Sequence, residues 1–254
     1  SRFLHDKAGR AYPINPYLKA LLDDTLTDSR WDLPYLGMQV LIEGVALAAF
    51  GVIRDYAQNP LAASVNAYVM QDEARHVAFG RLALRDYYPQ LTQKERDERE
   101  EFAVEGCYLL RDRFLGEDVW ETLGLPVEEC KQFVARSEMM KVYRSGLFSR
   151  IVPAMKEIGL WGPRIQKAYA DMGIIGFADT DVEALAAHDE AVAIDFDRRR
   201  EVARVAALSA GATPADPPDD ALQCRATRHR TRRNGLFSKA DFSGSAQYGC
   251  TLPP

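Results

Sequence analysis

The sequence predicts a mainly α-helical domain built around one helical hairpin. Residues 62–79 contain neither glycine nor proline, and apolar side chains recur along them at helical spacing. A second apolar segment, about residues 33–57, precedes them. Asn59-Pro60 separates the two, and this dipeptide combines a helix breaker with a proline suited to a first helical position. We therefore expect the chain to reverse there, giving an antiparallel hairpin over about residues 33–87.

Length and composition allow one large helical domain with a different C-terminal segment. The chain has 254 residues, of which 47% are apolar, so it can bury a sizeable core. We assign residues 1–210 to the helical domain. From Gly211 the sequence is first rich in proline and then basic, without helical periodicity, so we interpret residues 211–254 as a linker and a disordered basic tail. The net charge of −5 argues against nucleic-acid binding.

The cysteines and the hydropathy pattern indicate a soluble cytoplasmic protein. Four cysteines lie far apart, with no Cys-x-x-Cys, which predicts free thiols. No apolar run reaches membrane-spanning length without a charge, and the longest one contains Glu43.

Further helices are predicted around the hairpin. Thr92 and Glu95 form a capping-box pattern that opens one of them. We expect its acidic residues 95–101 on a solvated face, with Glu105 as the acid that could point inward. Pro153 should end the helix that precedes it. The predicted ranges are about residues 16–26, 95–114, 125–152, 161–171 and 181–210, with an apolar loop at 173–178.

A Glu-x-x-His pair in the hairpin is the main candidate for chemistry. Glu73 and His76 are three residues apart, so on a helix they share a face and could chelate a metal; a surface ion pair is the alternative explanation. Glu43 is the one carboxylate in the apolar run before the turn. Glu43 and His76 are nearly equidistant from Asn59-Pro60, roughly 20–25 Å along each helix. The hairpin should therefore bring Glu43, Glu73 and His76 together in its interior.

This pattern resembles the second half of the ferritin-like di-iron carboxylate oxygenase superfamily, which includes the ribonucleotide reductase small subunit and the p-aminobenzoate N-oxygenases. The residues that carry the resemblance are Glu43 and Asp72 to His76. It implies a ferritin-like helical bundle in which Glu43, Glu73 and His76 bind two iron ions, with manganese as an alternative. It also implies that Asp72 orients a ligand histidine. Tyr68, Glu105 and Glu138 are weaker candidates for the site.

The resemblance further implies an oxidoreductase that uses O₂ on a small organic substrate. Val69 stands where some N-oxygenases have an extra histidine, which argues against arylamine N-oxygenation. Two alternatives stay open: an iron-binding or ferroxidase protein without an organic substrate, and a truncated helical remnant without activity. Gly44, beside Glu43, would leave room for a substrate or allow close helix packing.

The chain carries one ligand half where the superfamily uses two. Of its four histidines only His76 lies in Glu-x-x-His. Arg2-Phe3-Leu4 is similar to Arg81-Leu82-Ala83, which follows that motif, so we expect the chain to start just after a first copy of it. The missing ligands would come from an absent N-terminal segment or from a second copy of the chain in a homodimer.

Overall fold

The computed structural model describes residues 5–7, 9 and 11–209, apart from the side chains of residues 207 and 208. The chain divides into two compact units. One is Ile14–Arg200, which contains every element discussed below up to that residue. The other comprises Ser1–Pro13 and Glu201–Pro254, and of it the structure describes residues 5–7, 9, 11–13 and 201–209. The predicted linker and tail at residues 211–254 lie outside the described residues.

The described residues are mainly helical and contain no strand, as the sequence predicts. Short 3₁₀ turns at Tyr88–Gln90, Arg113–Leu115 and Ile175–Asp179 join some of the helices. The helices are α1 Pro16–Thr27, α2 Asp32–Tyr56, α3 Pro60–Arg85, α4 Gln93–Asp112, α5 Glu117–Thr122, α6 Val127–Arg136, α7 Glu138–Gly146, α8 Ile151–Glu157, α9 Pro163–Asp171 and α10 Val182–Ser209.

Helix α2 is continuous but not uniformly α-helical. Its residues Tyr35–Ile42 form a π-helix, and the backbone N–H of Glu43 still bonds to the carbonyl of Met38, five residues back. No sequence pattern predicts this π segment. Gly37 lies inside the π segment against Thr25 of α1, where a Cβ would come within 2.3 Å of the threonine hydroxyl. Short π segments inside α-helices occur frequently at functional sites.

The reversal at Asn59-Pro60 is confirmed. The Asn59 side chain accepts a hydrogen bond from the N–H of Leu61 at 2.8 Å, which caps α3, and Pro60 occupies its first position. The hairpin α2–α3 that results is the element on which the candidate ligands lie.

Helix α4 begins with the predicted capping box, in which Thr92 and Glu95 each satisfy a backbone N–H of the other. The expectation that all its early acids are solvated is wrong for Glu100. Glu100 is only 5% exposed, because its carboxylate accepts a hydrogen bond from the N–H of Gly162 at the start of α9. Glu105, expected to be the acid that could point inward, is exposed instead.

The predicted helix at 125–152 is three helices. Ser137 ends α6 in an extended conformation and accepts a hydrogen bond from the N–H of Met140, capping α7. The prediction that Pro153 ends a helix is wrong, because Pro153 lies in the first turn of α8. A proline is tolerated there because the first N–H groups of a helix have no intrahelical partner.

The apolar core is unevenly distributed along the hairpin. The first half of α2 packs with α1, α4, α8 and α9 in one large cluster, where Leu36, Val40 and Leu41 have no exposed surface. The second half of α2 shares with α3 a small cluster of Leu47, Met70 and Val77.

Helix α2 is long and apolar enough to cross a membrane by length and composition, with a mean hydropathy of 1.9. This is weak support for a span, since the core helix of a soluble protein meets the same criterion. Cys107 and Cys130 are free thiols, as predicted; Cys224 and Cys250 lie outside the described residues.

Candidate functional site

The hairpin brings Glu43, Glu73 and His76 together. The Nδ1 atom of His76 lies 3.4 Å from an Oε of Glu73 on the same helix and 3.6 Å from an Oε of Glu43 on α2. One ligand atom from each residue can be chosen so that all lie within 4.8 Å of one another. Within the described part of the chain, this is the one group of three or more His, Cys, Asp or Glu side chains with that property.

The spacing is close to that of ligands on one metal ion. Bonds of about 2.0–2.2 Å on either side of an ion separate its ligands by at most about 4.4 Å. Two carboxylates and an imidazole form a hard oxygen-rich set with one nitrogen, which suits iron or manganese better than structural zinc. The donor set therefore fits the ion that the resemblance implies.

An orphaned oxygen supports this fit. Glu43 Oε2 is buried and accepts no hydrogen bond from any described residue, although a buried carboxylate oxygen without a donor is costly. The side chain of Glu43 is 18% exposed and that of Glu73 is 22% exposed, so both are largely removed from water. A cation at this position would satisfy the free oxygen.

The protonated imidazole fills the role of a cation in the metal-free protein. The neighbouring carboxylates, Glu43 first and then Glu73, raise the pKa of His76 to about 10. A metal ligand must be the neutral imidazole, so a metal that binds here must displace a proton from His76.

One side of the site is open. The expectation that the three ligands meet in the hairpin interior is wrong for His76, whose side chain is 54% exposed. Apolar residues are also exposed along the same hairpin, and one of them, Phe79, lies one turn beyond His76. They are Val52, Ile53, Tyr56, Leu61, Val65, Phe79 and Leu82, each at least 37% exposed.

Gln39 is a polar neighbour that the sequence analysis missed. It lies in the π segment, one turn before Glu43, and its Oε1 is also buried without a hydrogen-bond donor. Across the hairpin it packs on Gly80, one turn beyond His76, where a Cβ would come within 2.8 Å of the Gln39 Cβ. A glutamine in an otherwise apolar run was the available signal.

Asp72 and Tyr68 make contacts away from the imidazole. The Asp72 carboxylate accepts a hydrogen bond from Arg75 at 2.9 Å, so its role in orienting His76 stays a prediction. The Tyr68 hydroxyl donates to Asp197 at 2.6 Å, which ties α3 to α10. Tyr68 thus has a structural contact, in line with packing rather than redox chemistry.

The remaining weaker candidates lie elsewhere on the surface. Glu138 is 83% exposed and pairs with Lys141, and neither it nor the exposed Glu105 belongs to the convergent group. Gly44 serves close packing, because a Cβ there would come within 3.0 Å of Ile151 on α8. It does not open room beside Glu43 for a substrate.

Comparison of the chain with protein-family models, with curated proteins and with solved structures gives no match.

Proposed function

We propose that the chain is part of a non-haem di-iron oxidoreductase with a ferritin-like helical bundle, acting with O₂ on a small organic substrate in the cytoplasm. The observation that carries the proposal is the convergence of Glu43, Glu73 and His76 around the orphaned oxygen of Glu43. The order of the ligands, one Glu on a helix and Glu-x-x-His on the next, is that of half a carboxylate-bridged di-iron site.

Each residue has a distinct part in this proposal. Glu43 and Glu73 supply carboxylate oxygens to the iron, and His76 supplies a neutral ring nitrogen after losing its proton. An iron pair open to O₂ supplies two-electron oxidation, such as hydroxylation or desaturation. The apolar cluster of Leu47, Met70 and Val77 excludes water on the closed side of the ligands.

An apolar neighbourhood favours an organic substrate over ferroxidase activity. Leu47, one helical turn after Glu43, is 3% exposed and lines a cavity whose walls are largely apolar. The cavity is not lined by Glu43, Glu73 or His76, and it begins one helical turn from Glu43. A ferroxidase needs a polar path for iron ions rather than an apolar cavity at that distance. The apolar cavity therefore supports oxidation of an organic molecule.

The proposal requires a second set of ligands. A complete centre of this kind uses about four carboxylates and two histidines, and the hairpin supplies two and one. The exposed imidazole and the exposed apolar residues along the hairpin are where a second hairpin would dock. A second copy of the chain can supply that hairpin in a two-fold dimer, in which both ligand sets surround one axis.

The test combines metal content with O₂ consumption. Protein loaded with Fe²⁺ without O₂ and then desalted should retain iron, and Glu43→Gln and His76→Gln should lose it. Glu105→Gln, an exposed acid outside the group, is the matched control. O₂ consumption that depends on an added organic substrate supports the oxidoreductase; uptake that depends on Fe²⁺ alone would instead indicate a ferroxidase.

A further inference from the structure

A cavity of about 750 Å³ lies beside the second half of α2, bordered by α7, the turn after it, and α10. This is within the range of about 300–1,000 Å³ that small-molecule sites occupy. Its lining residues all belong to Ile14–Arg200.

The walls of the cavity are mostly apolar. Leu47 and Val52 of α2 face Met140 and Tyr143 of α7, and Leu185 of α10 completes the wall. Val142 at the mouth is 74% exposed, so the cavity opens to solvent on that side. An apolar molecule that entered would bury surface on several helices at once, which is favourable in proportion to the area removed from water.

Two buried arginines share one aspartate at the polar end of the cavity. Asp189 accepts a hydrogen bond from Arg54 at 3.0 Å and from Arg150 at 2.5 Å, and its side chain is 7% exposed. Each nitrogen of Arg54 donates at least one hydrogen bond, since Nε and Nη2 donate to Asp55. The single charge of Asp189 thus faces two guanidinium groups, while Asp55 is 54% exposed to solvent.

Arg150 retains unused hydrogen-bond donors. Arg150 is 8% exposed. Its Nη2 donates a hydrogen bond to Asp189, whereas its Nε and Nη1 have no acceptor among the described residues. A guanidinium carries five N–H groups. These donors are not enclosed by protein, because no Arg150 nitrogen is among the buried atoms that lack a partner. They are therefore accessible from the cavity that Arg150 lines.

We propose that this cavity binds a small amphipathic anion, a carboxylate on an apolar body, with the carboxylate on Arg150. Arginine binds carboxylates through charge-assisted hydrogen bonds, which are stronger in a partly buried setting than in water. The apolar body lies along Leu47, Met140 and the other wall residues. The acid is a free small molecule rather than part of a protein.

The cavity lies close to the proposed metal ligands, but binding of the acid does not require them. Glu43, Leu47 and Arg54 are at positions i, i+4 and i+11 of α2, so they lie along one helix face. The end of a bound molecule that touches Leu47 is about one helical turn, roughly 6 Å of rise, from Glu43. Binding of the acid needs no metal, so its test is independent of the proposed oxidoreductase function.

The test is isothermal titration of the full chain with decanoate, kept below its micelle concentration, and with decanol as the uncharged match. Decanoate should bind saturably with about one molecule per chain, and about tenfold or more tighter than decanol. Arg150→Gln should remove most of that preference while leaving decanol binding unchanged. Iron-free and iron-loaded protein should both bind decanoate.

Two further variants keep the test valid if Arg150→Gln disturbs folding. Val142→Glu places a like charge at the mouth, on an exposed side chain, and should weaken decanoate about tenfold. Val119→Glu on α5, exposed but outside the cavity, should bind as wild type does. Absence of saturable decanoate binding, or equal affinity for decanoate and decanol, would overturn the proposal, as would unchanged binding in both Arg150→Gln and Val142→Glu.

Discussion

The two halves of α2 have contrasting surroundings. In the first half, Leu36, Val40 and Leu41 have no exposed surface, and Asp32 is held by two hydrogen bonds from Arg99 at 3.0 and 3.1 Å. In the second half, the apolar cluster is small, Val52 and Ile53 are exposed, and a cavity opens beside the helix. Glu43, with its unsatisfied oxygen, lies where one half passes into the other.

The contrast distinguishes residues whose contacts stabilise the fold from residues with unsatisfied groups that are available to bind a ligand. Both oxygens of the Asp32 carboxylate, which is 1% exposed, accept a hydrogen bond from Arg99, whereas Oε2 of Glu43 has no donor among the described residues. Local violations of good packing and hydrogen bonding are expected at functional sites, because stability is traded there for binding. The first prediction compares one acid from each half of α2, and the later ones compare core positions with exposed positions elsewhere.

The largest difference is expected between Asp32 and Glu43, the two acids at the ends of the first half of α2. Asp32→Asn leaves the buried Arg99 guanidinium with only the more exposed Glu98, 3.5 Å away, and should lower the free energy of unfolding by about 3 kcal/mol. Glu43→Gln relieves repulsion between Glu43 and Glu73 but loses attraction to His76, so it should change that energy by about 1 kcal/mol or less. Urea unfolding of the metal-free variants measures both. A loss of several kcal/mol in Glu43→Gln would mean that Glu43 is structural.

A second pair compares the same truncation at a core position of α2 and at an exposed position of α3. Leu41→Ala empties a fully buried position and should cost about 2–5 kcal/mol. Leu82→Ala removes a side chain that is 51% exposed and should stay within about 0.5 kcal/mol. Thermal melts across protein concentrations give both values. A large cost for Leu82→Ala that grows with concentration would show that this face is covered in an oligomer.

The next prediction concerns how the contact between Asp28 and Arg30, just before α2, changes stability with pH. Arg30 lowers the pKa of Asp28 to about 2, so the contribution of Asp28 is complete above its unfolded value near 3.8 and disappears as the pH falls through 2. Asp28→Asn should remove about 1–2 kcal/mol at neutral pH and flatten the loss of stability between about pH 4 and 2. Unfolding curves collected from pH 7 to 2 are the measurement, and an unchanged acid profile in Asp28→Asn would contradict it.

The smallest expected effect concerns two thiols. Burial raises the pKa of Cys107 to about 12, and its sulfur lies 3.7 Å from the Tyr169 hydroxyl. A thiol reagent at neutral pH should therefore modify the partly exposed Cys130 much faster than Cys107, because the reactive form is the thiolate. Peptide mass mapping over time gives the two rates. Comparable rates in native protein would mean that the packed core around α4 opens readily.

The sequence was sufficient for the hairpin and its ligand group because both follow from local rules. Asn59-Pro60 marks the turn, and equal spacing from it brings Glu43 level with His76. The π segment Tyr35–Ile42 has no comparable signature, since its wide turn depends on packing against other helices. The π segment did not affect the predicted convergence of Glu43 and His76, because that prediction used the distances of both residues from Asn59-Pro60, which follows the segment.

The residues whose surroundings the sequence did not predict depend on contacts between distant parts of the chain. Glu100 has the same local sequence character as its acidic neighbours, and only the N–H of Gly162, far along the chain, explains its burial. Asp189 likewise accepts hydrogen bonds from Arg54 and Arg150, which lie on distant segments of the chain. Helical periodicity assigns side chains to faces of a helix but does not say which faces a distant helix will cover.

The most direct test of the account is anaerobic titration of the full chain with Fe²⁺, followed by calorimetry, with sedimentation at the same protein concentrations. Wild type should bind iron saturably, more tightly as the chain self-associates. Glu43→Gln, Glu73→Gln and His76→Gln should each weaken binding by about tenfold or more, while Glu105→Gln binds as wild type does. Absence of saturable binding by wild type, or equal binding by wild type and the three ligand variants, would contradict the account.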